Sequence, residues 1–139
     1  MAPGLSPTIW GAGTWLFLHS ITLNANEIPT PLEQKKYKQF FSLLGDILPC
    51  GRCRIHFRQN VKKYPIKCST RKEFISWLIN IHNEVNKSLG KPIYSQVECL
   101  DKLLCLYRKH PQNPDAYQYL YIGILLIIFC AIGWRWVRR

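Results

Sequence analysis

No stretch of the 139 residues alternates apolar and polar side chains over any length, and no segment repeats another. The first absence argues against a sheet with one wet face, the second against a repeat array. The pair Cys50 and Cys53 has no second Cys-x-x-Cys to answer it. Zinc would therefore have to recruit its other ligands from His56, Cys68, Cys99 and Cys105 at irregular separations, which speaks against a metal site. Arg54 rather than His follows Cys53, which excludes attachment of a c-type haem. The opening MAPGLSPTIW has no charged start followed by an apolar run, so no secretory signal peptide is expected. Acidic residues are scarce: eight Asp plus Glu against 19 Lys plus Arg leave a formal charge of +11. That excess would suit nucleic acid, an anionic membrane or a phosphorylated cofactor. The basic residues are spread along the chain, however, which fits solvated helix faces, and no nucleic-acid partner is expected.

Aromatic residues are abundant, with five Trp, seven Tyr and six Phe, enough for a packed core or a pocket that holds a flat ring system. Helix starts are marked three times by Ser or Thr followed three residues later by Glu: Thr30 with Glu33, Thr70 with Glu73, and Ser95 with Glu98. A helix from 31 to about 48 is expected to bury Tyr37, Phe40, Phe41, Leu44 and Leu48. Another, from 71 to 89, is expected to bury Phe74, Trp77, Leu78, Ile81, Val85 and Leu89. Gly90 and Pro92 end it. Further helices are read over about Pro7 to Asn24, from Cys50 to about Val61, and over 96–109, the last with Val97, Leu100, Leu104 and Tyr107 on one face. Residues 1–109 thus predict an all-α bundle of four to five helices.

Residues 110–116 (HPQNPDA) read as a linker. From Tyr119 to Trp134 the chain carries no charge, and Tyr117, Tyr119, Tyr121, Trp134 and Trp136 flank the run. The run is slightly short of the usual ~20 residues, but Gln118 and Arg135 can snorkel and the aromatics suit the two interfaces. A single C-terminal transmembrane helix over 117–137 is expected. Basic residues on its two sides tie, so orientation rests on position: a span so near the end follows a domain already folded in the cytosol.

Pro49 ends one predicted helix, so Cys50 falls at or beside the start of the next. Unpaired amides and the helix dipole stabilise a thiolate there, and Arg52 and Arg54 add positive charge. A second thiol three residues on can resolve a mixed disulfide. A thioredoxin-like site would need a strand before the pair, and the preceding sequence is helical. Cys50 and Cys53 are therefore candidate redox cysteines in need of an electron acceptor.

His82, Asn83 and Asn86 cluster at helical spacing beside an apolar stripe, with Lys87 and Lys91 behind them. Such a set suits a polar ring and a phosphate. With PCGRCRIHF at 49–57, HNEVNKSLGKP at 82–92 and WGAGTWLFLH at 10–19, in this order and spacing, the sequence resembles the Erv and ALR family of FAD-linked sulfhydryl oxidases. The resemblance covers about residues 10–92. It implies a helical bundle that holds FAD non-covalently, is commonly dimeric, and oxidises protein dithiols or a thioredoxin-like relay at the expense of oxygen. It also implies that Gly11, Trp15, His19, Trp77, His82, Asn83, Val85, Asn86 and Lys91 contact the cofactor, and that electrons enter at Cys50 and leave through Cys53.

Departures from the pattern are specific. Many cellular members carry a structural disulfide where this chain has Ile79 and Gln96, and a basic residue where it has Ala12; the WG opening looks like members encoded by large DNA viruses. By that analogy the oxidase domain would face the cytosol from a host or virion membrane. A second, shuttle pair is often present in the family. Cys99 and Cys105 are the candidates, yet six residues of regular helix separate them by about 9 Å in rise, beyond the roughly 7 Å limit for a disulfide. Cys68 reads as a free thiol and Cys130 as a small residue facing lipid or another helix. The alternatives are a zinc-binding or basic membrane-anchored adaptor, and a disulfide exchanger without flavin.

Overall fold

The computed structural model describes residues 4–109 and 119–129. Five helices follow one another: α1 (Pro7–Leu23), α2 (Pro31–Ile47), α3 (Gly51–Lys63), α4 (Arg71–Ser88) and α5 (Gln96–Lys109). A sixth, α6, covers 119–129. Residues Met1–Leu104 group as one compact unit and Cys105–Arg139 as another.

The helix starts obey the expected side-chain chemistry. At α2 the Thr30 hydroxyl accepts from the Glu33 amide while the Glu33 carboxylate accepts from the Thr30 amide, a complete capping box. Ser95 and Glu98 make the same reciprocal pair ahead of α5. α4 ends in a Schellman motif: Gly90 takes φ +63°, its amide donates to the Lys87 carbonyl, and the Lys91 amide reaches back to the Asn86 carbonyl. This closure turns the chain sharply and keeps Lys91 close to the end of α4.

In the first unit α1 packs against α4, and α3 against both α2 and α4. The core is aromatic. Phe41, fully buried, meets Phe40, Phe74 and Trp77 edge-on, each with ring centroids 5.2 Å apart. Edge-to-face contact of this kind adds about 0.5–1.5 kcal/mol per pair beyond the burial itself. Leu18, Leu44, Phe57, Leu78 and Ile81 complete the cluster. Two expectations need correction. Leu89 is exposed, because the Schellman turn carries it off the buried stripe. On α5 only Leu103 is buried, whereas Val97 is 72% exposed and Leu104 and Tyr107 also face outward. Spacing identified an apolar stripe on α5 but not its partner.

The C-terminal expectation is also corrected. Among the described residues no helix is long and apolar enough to cross a membrane, so the predicted all-α fold stands without the transmembrane helix. The linker at 110–116, the rest of the predicted span and Cys130 lie outside the described residues.

The junction between α2 and α3 carries the most specialised packing. Pro49 has no amide hydrogen to give to the Gly45 carbonyl, four residues back; the Arg58 guanidinium donates there instead, at 2.8 Å, and meets Asp46 Oδ1 at 3.1 Å. The approach requires a missing side chain, since a Cβ on Gly45 would lie 2.5 Å from Arg58 Cγ. Gly45→Ala should therefore destabilise the protein by about 1 kcal/mol in urea unfolding, even though alanine gains about 1 kcal/mol of helix propensity, because Arg58 must leave both partners.

Candidate functional site

Cys50 is the N-cap of α3, in extended conformation (φ −144°, ψ 117°), and its sulfur accepts from the Cys53 amide at 3.2 Å. Cys50 and Cys53 are joined in a disulfide with their Cα atoms 5.2 Å apart. Both cysteines thus occupy the first turn of a helix, the position expected from Pro49, where free amides favour a thiolate once the bond is reduced. The loop that presents them is held on each carbonyl. Arg54 Nη1 donates to Leu48 O at 2.7 Å, the Leu5 amide to Pro49 O at 2.8 Å, and the Arg54 amide to Cys50 O at 3.0 Å. Gly4 passes so close that an added Cβ would stand 3.2 Å from Cys50 Cα. Sequence reasoning missed this N-terminal contact, because a single backbone hydrogen bond leaves no pattern in side-chain types.

The second part of the site lies between α1 and α4. His19 Nε2 and His82 Nδ1 are 3.1 Å apart, and the Trp15 ring stacks on His82 with centroids 4.0 Å apart and planes 5° from parallel. His19 is buried, with Nδ1 unpaired among the described residues. Burial first, then the His82 charge, lowers the His19 pKa to about 4; burial first, then the Lys91 ammonium, lowers His82 to about 4. Both imidazoles are neutral at pH 7, so one shares a single proton bond with the other, and His19 keeps one ring nitrogen free to bind.

The remaining predicted contacts divide. Asn86 is buried and Val85 half-buried on the same helix, and Lys91 is exposed beside His82. Gly11 lies on α1 with open space where a Cβ would stand. Asn83 has both ends of its amide engaged by Tyr94, donating to its carbonyl at 2.7 Å and accepting from its amide at 3.1 Å. It therefore pins the segment after Gly90 to α4. Trp77 is not brought to the histidines by any ring contact; it sits in the core against Phe41 and Phe74, and its Nε1 donates to Tyr64 O. Cys99 and Cys105 are free and stand on the unbroken α5, and Cys68 is free and buried. Among the described residues no group of three or more His, Cys, Asp or Glu could hold a metal ion, which leaves the zinc alternative without a ligand set there.

The Erv1 / Alr family model matches residues 12–104. The chain belongs to the Erv1 / Alr family. It is 34% identical over 124 residues to the probable FAD-linked sulfhydryl oxidase R368 of Acanthamoeba polyphaga mimivirus, covering 85% of this chain and 83% of that one. It is 35% identical over 95 residues to the FAD-linked sulfhydryl oxidase ERV2 of Saccharomyces cerevisiae, but spans only 48% of that relative's length. Among solved structures, the FAD binding domain of Erv1 from Saccharomyces cerevisiae matches with a TM-score of 0.65 at 28% identity, over 66% of this chain and 88% of that one. For an Erv1 / Alr chain the arrangement around His19 fits a flavin nucleotide. A buried ring nitrogen without a partner, a planar Trp15–His82 stack and a nearby ammonium offer a hydrogen bond, a π surface and a countercharge.

The histidine pair makes stability depend on pH. Both groups titrate near 6.5 when unfolded and near 4 when folded, so the unfolded state binds more protons between these values, and stability present above pH 6.5 is lost as pH falls toward 4. For His19 alone the loss amounts to at most about 3 kcal/mol. Urea unfolding at pH 7 and pH 4.5 should show the drop, and His19→Phe should reduce it, leaving the part due to His82.

Proposed function

We propose that this protein is a FAD-dependent sulfhydryl oxidase that makes disulfide bonds in substrate proteins. The observation that carries the reading is the Cys50–Cys53 disulfide at the first turn of α3, in a member of a family whose relatives are named FAD-linked sulfhydryl oxidases. A substrate thiolate attacks the Cys50 sulfur, the Cys50–Cys53 bond breaks, and Cys53 leaves as a thiolate. The second substrate thiol then attacks its partner in the mixed disulfide. The substrate departs oxidised, and Cys50 and Cys53 together hold the two electrons. The helix start and the loop's three bound carbonyls keep the Cys53 thiolate stable and in place.

When bound, FAD supplies the two-electron acceptor that links the dithiol to oxygen and yields hydrogen peroxide. Trp15, His19, His82, Asn86 and Lys91 would hold it, His19 through Nδ1 and Lys91 as a countercharge to phosphate, while Asn83 and Val85 shape the wall and Gly11 leaves room. Trp77 supports this wall from the core. Cys99 and Cys105 act as a relay only through another subunit or a substrate, because one regular helix holds both. The mimivirus relative supports reading this chain as a virus-encoded oxidase.

An uncovered apolar face supports a homodimer. Ile9 (85% exposed), Leu16 and Phe17 recur at helical spacing on α1, Leu43 and Ile47 do so on α2, and the Phe17–Phe40 edge contact joins the two faces. Phe17→Asp should convert a dimer to a monomer in light scattering, and a monomeric parent would contradict the assignment. Oxygen uptake with a dithiol should fall to background in Cys50→Ser and in Cys53→Ser while both variants stay folded. Uptake that survives either substitution would overturn the redox assignment.

A further inference from the structure

We propose that Arg54 is a positioning residue for the redox pair: its guanidinium locks the Cys50 loop through the Leu48 carbonyl and sets a permanent positive charge beside the two sulfurs, favouring their reduced form. The proposal rests on the oxidase reading and adds to it what tunes the disulfide.

Three observations carry it. Arg54 follows Cys53 directly and stands four residues after Cys50, so on α3 it shares a face with the N-cap cysteine. Its side chain folds back rather than extending to solvent: Nη1 donates to Leu48 O at 2.7 Å, and Nη2 lies 3.6 Å from where a Gly51 side chain would begin. The charge is thereby held over the Pro49-Cys50-Gly51 turn. A guanidinium cannot lose its proton in a protein, and its fork holds an oxygen at a fixed angle, which an ammonium cannot do.

Arg58, one turn further along α3, makes the comparison clean. It binds the end of α2 in the same manner, through Gly45 O and Asp46. Its guanidinium meets Asp46 Oδ1 at 3.1 Å, so a carboxylate offsets its charge, whereas Arg54 is in none of the ion pairs among the described residues. Arg58 shares the bracing with Arg54 but not its uncompensated charge.

The consequence is a redox one. In equilibrium with glutathione, two glutathione thiols become one glutathione disulfide as the Cys50–Cys53 bond breaks and its sulfurs take up the two electrons. A neighbouring cation stabilises the thiolate so formed and makes the pair a better acceptor of substrate electrons.

The test is an anaerobic glutathione titration of the purified full chain, with the cysteines alkylated and counted by mass. It reads the disulfide whether or not the protein consumes oxygen, so failure here is separate from failure of the oxidase reading. Arg54→Gln should shift the equilibrium about tenfold toward the disulfide, ~30 mV for this two-electron couple. Arg54→Lys should return it to within about threefold while raising amide exchange at Cys50 and Gly51 at least about fivefold, since the charge is kept and the fork lost. Arg58→Gln should lower stability yet leave the equilibrium within about twofold. An unchanged equilibrium in Arg54→Gln, or an equal shift in Arg58→Gln, would overturn the proposal. If Arg54→Gln does not fold, Arg54→Lys decides: a kept equilibrium with faster exchange supports it, and any other result rejects it.

Discussion

The way α2 ends governs the rest of the molecule. Pro49 withholds the amide that would have continued the helix, and the chain leaves α2 in extended conformation with three carbonyls in need of donors. Arg58, Arg54 and the Leu5 amide supply them. Cys50 can then serve as the N-cap of α3 with its sulfur over the first turn. Were α2 to run on, the cysteines would sit mid-helix, where no free amides stabilise a thiolate.

The core and the cofactor wall share one helix. α4 presents Phe74, Trp77, Leu78 and Ile81 to the aromatic cluster and carries, in its second half, His82 and Asn86, which are proposed to face the cofactor. A rigid element that buries one face firmly can hold His82 on its flank against His19 of α1, at a cost in stability that arises only as pH falls below 6.5. The ties after α4 serve the same end. Ile79 and Gln96 stand where the family resemblance implies a structural disulfide. Here Ser76 Oγ donates to Gln96 Oε1 at 3.0 Å, Asn83 brackets Tyr94, and Lys102 lies over the Tyr94 ring. Noncovalent ties thus anchor the start of α5 where a covalent one is missing.

Much of this was legible in the residues. Capping pairs and apolar spacing located five helices, because these depend on side chains a few positions apart. Pro49 ahead of Cys50 placed the redox pair at a helix start for the same local reason. What spacing could not give were the contacts between distant segments. Trp77 and Asn83 carry the right chemistry for a ring-binding site, yet the core claims one and Tyr94 the other. Arg54 read as a positive charge beside the cysteines, and only the fold shows it bent back on Leu48. At the C-terminus the uncharged run suggested a span, whereas no helix among the described residues is long and apolar enough to cross a membrane.

The central claim joins the Cys50–Cys53 disulfide to a flavin held beside His19 and His82. Visible absorption of the purified protein during anaerobic addition of a dithiol tests it most directly. The account predicts a flavin band that bleaches in the parent protein, returns when oxygen is admitted, and persists unbleached in Cys53→Ser. A folded protein without that band, or one whose band bleaches equally fast in Cys53→Ser, would contradict it.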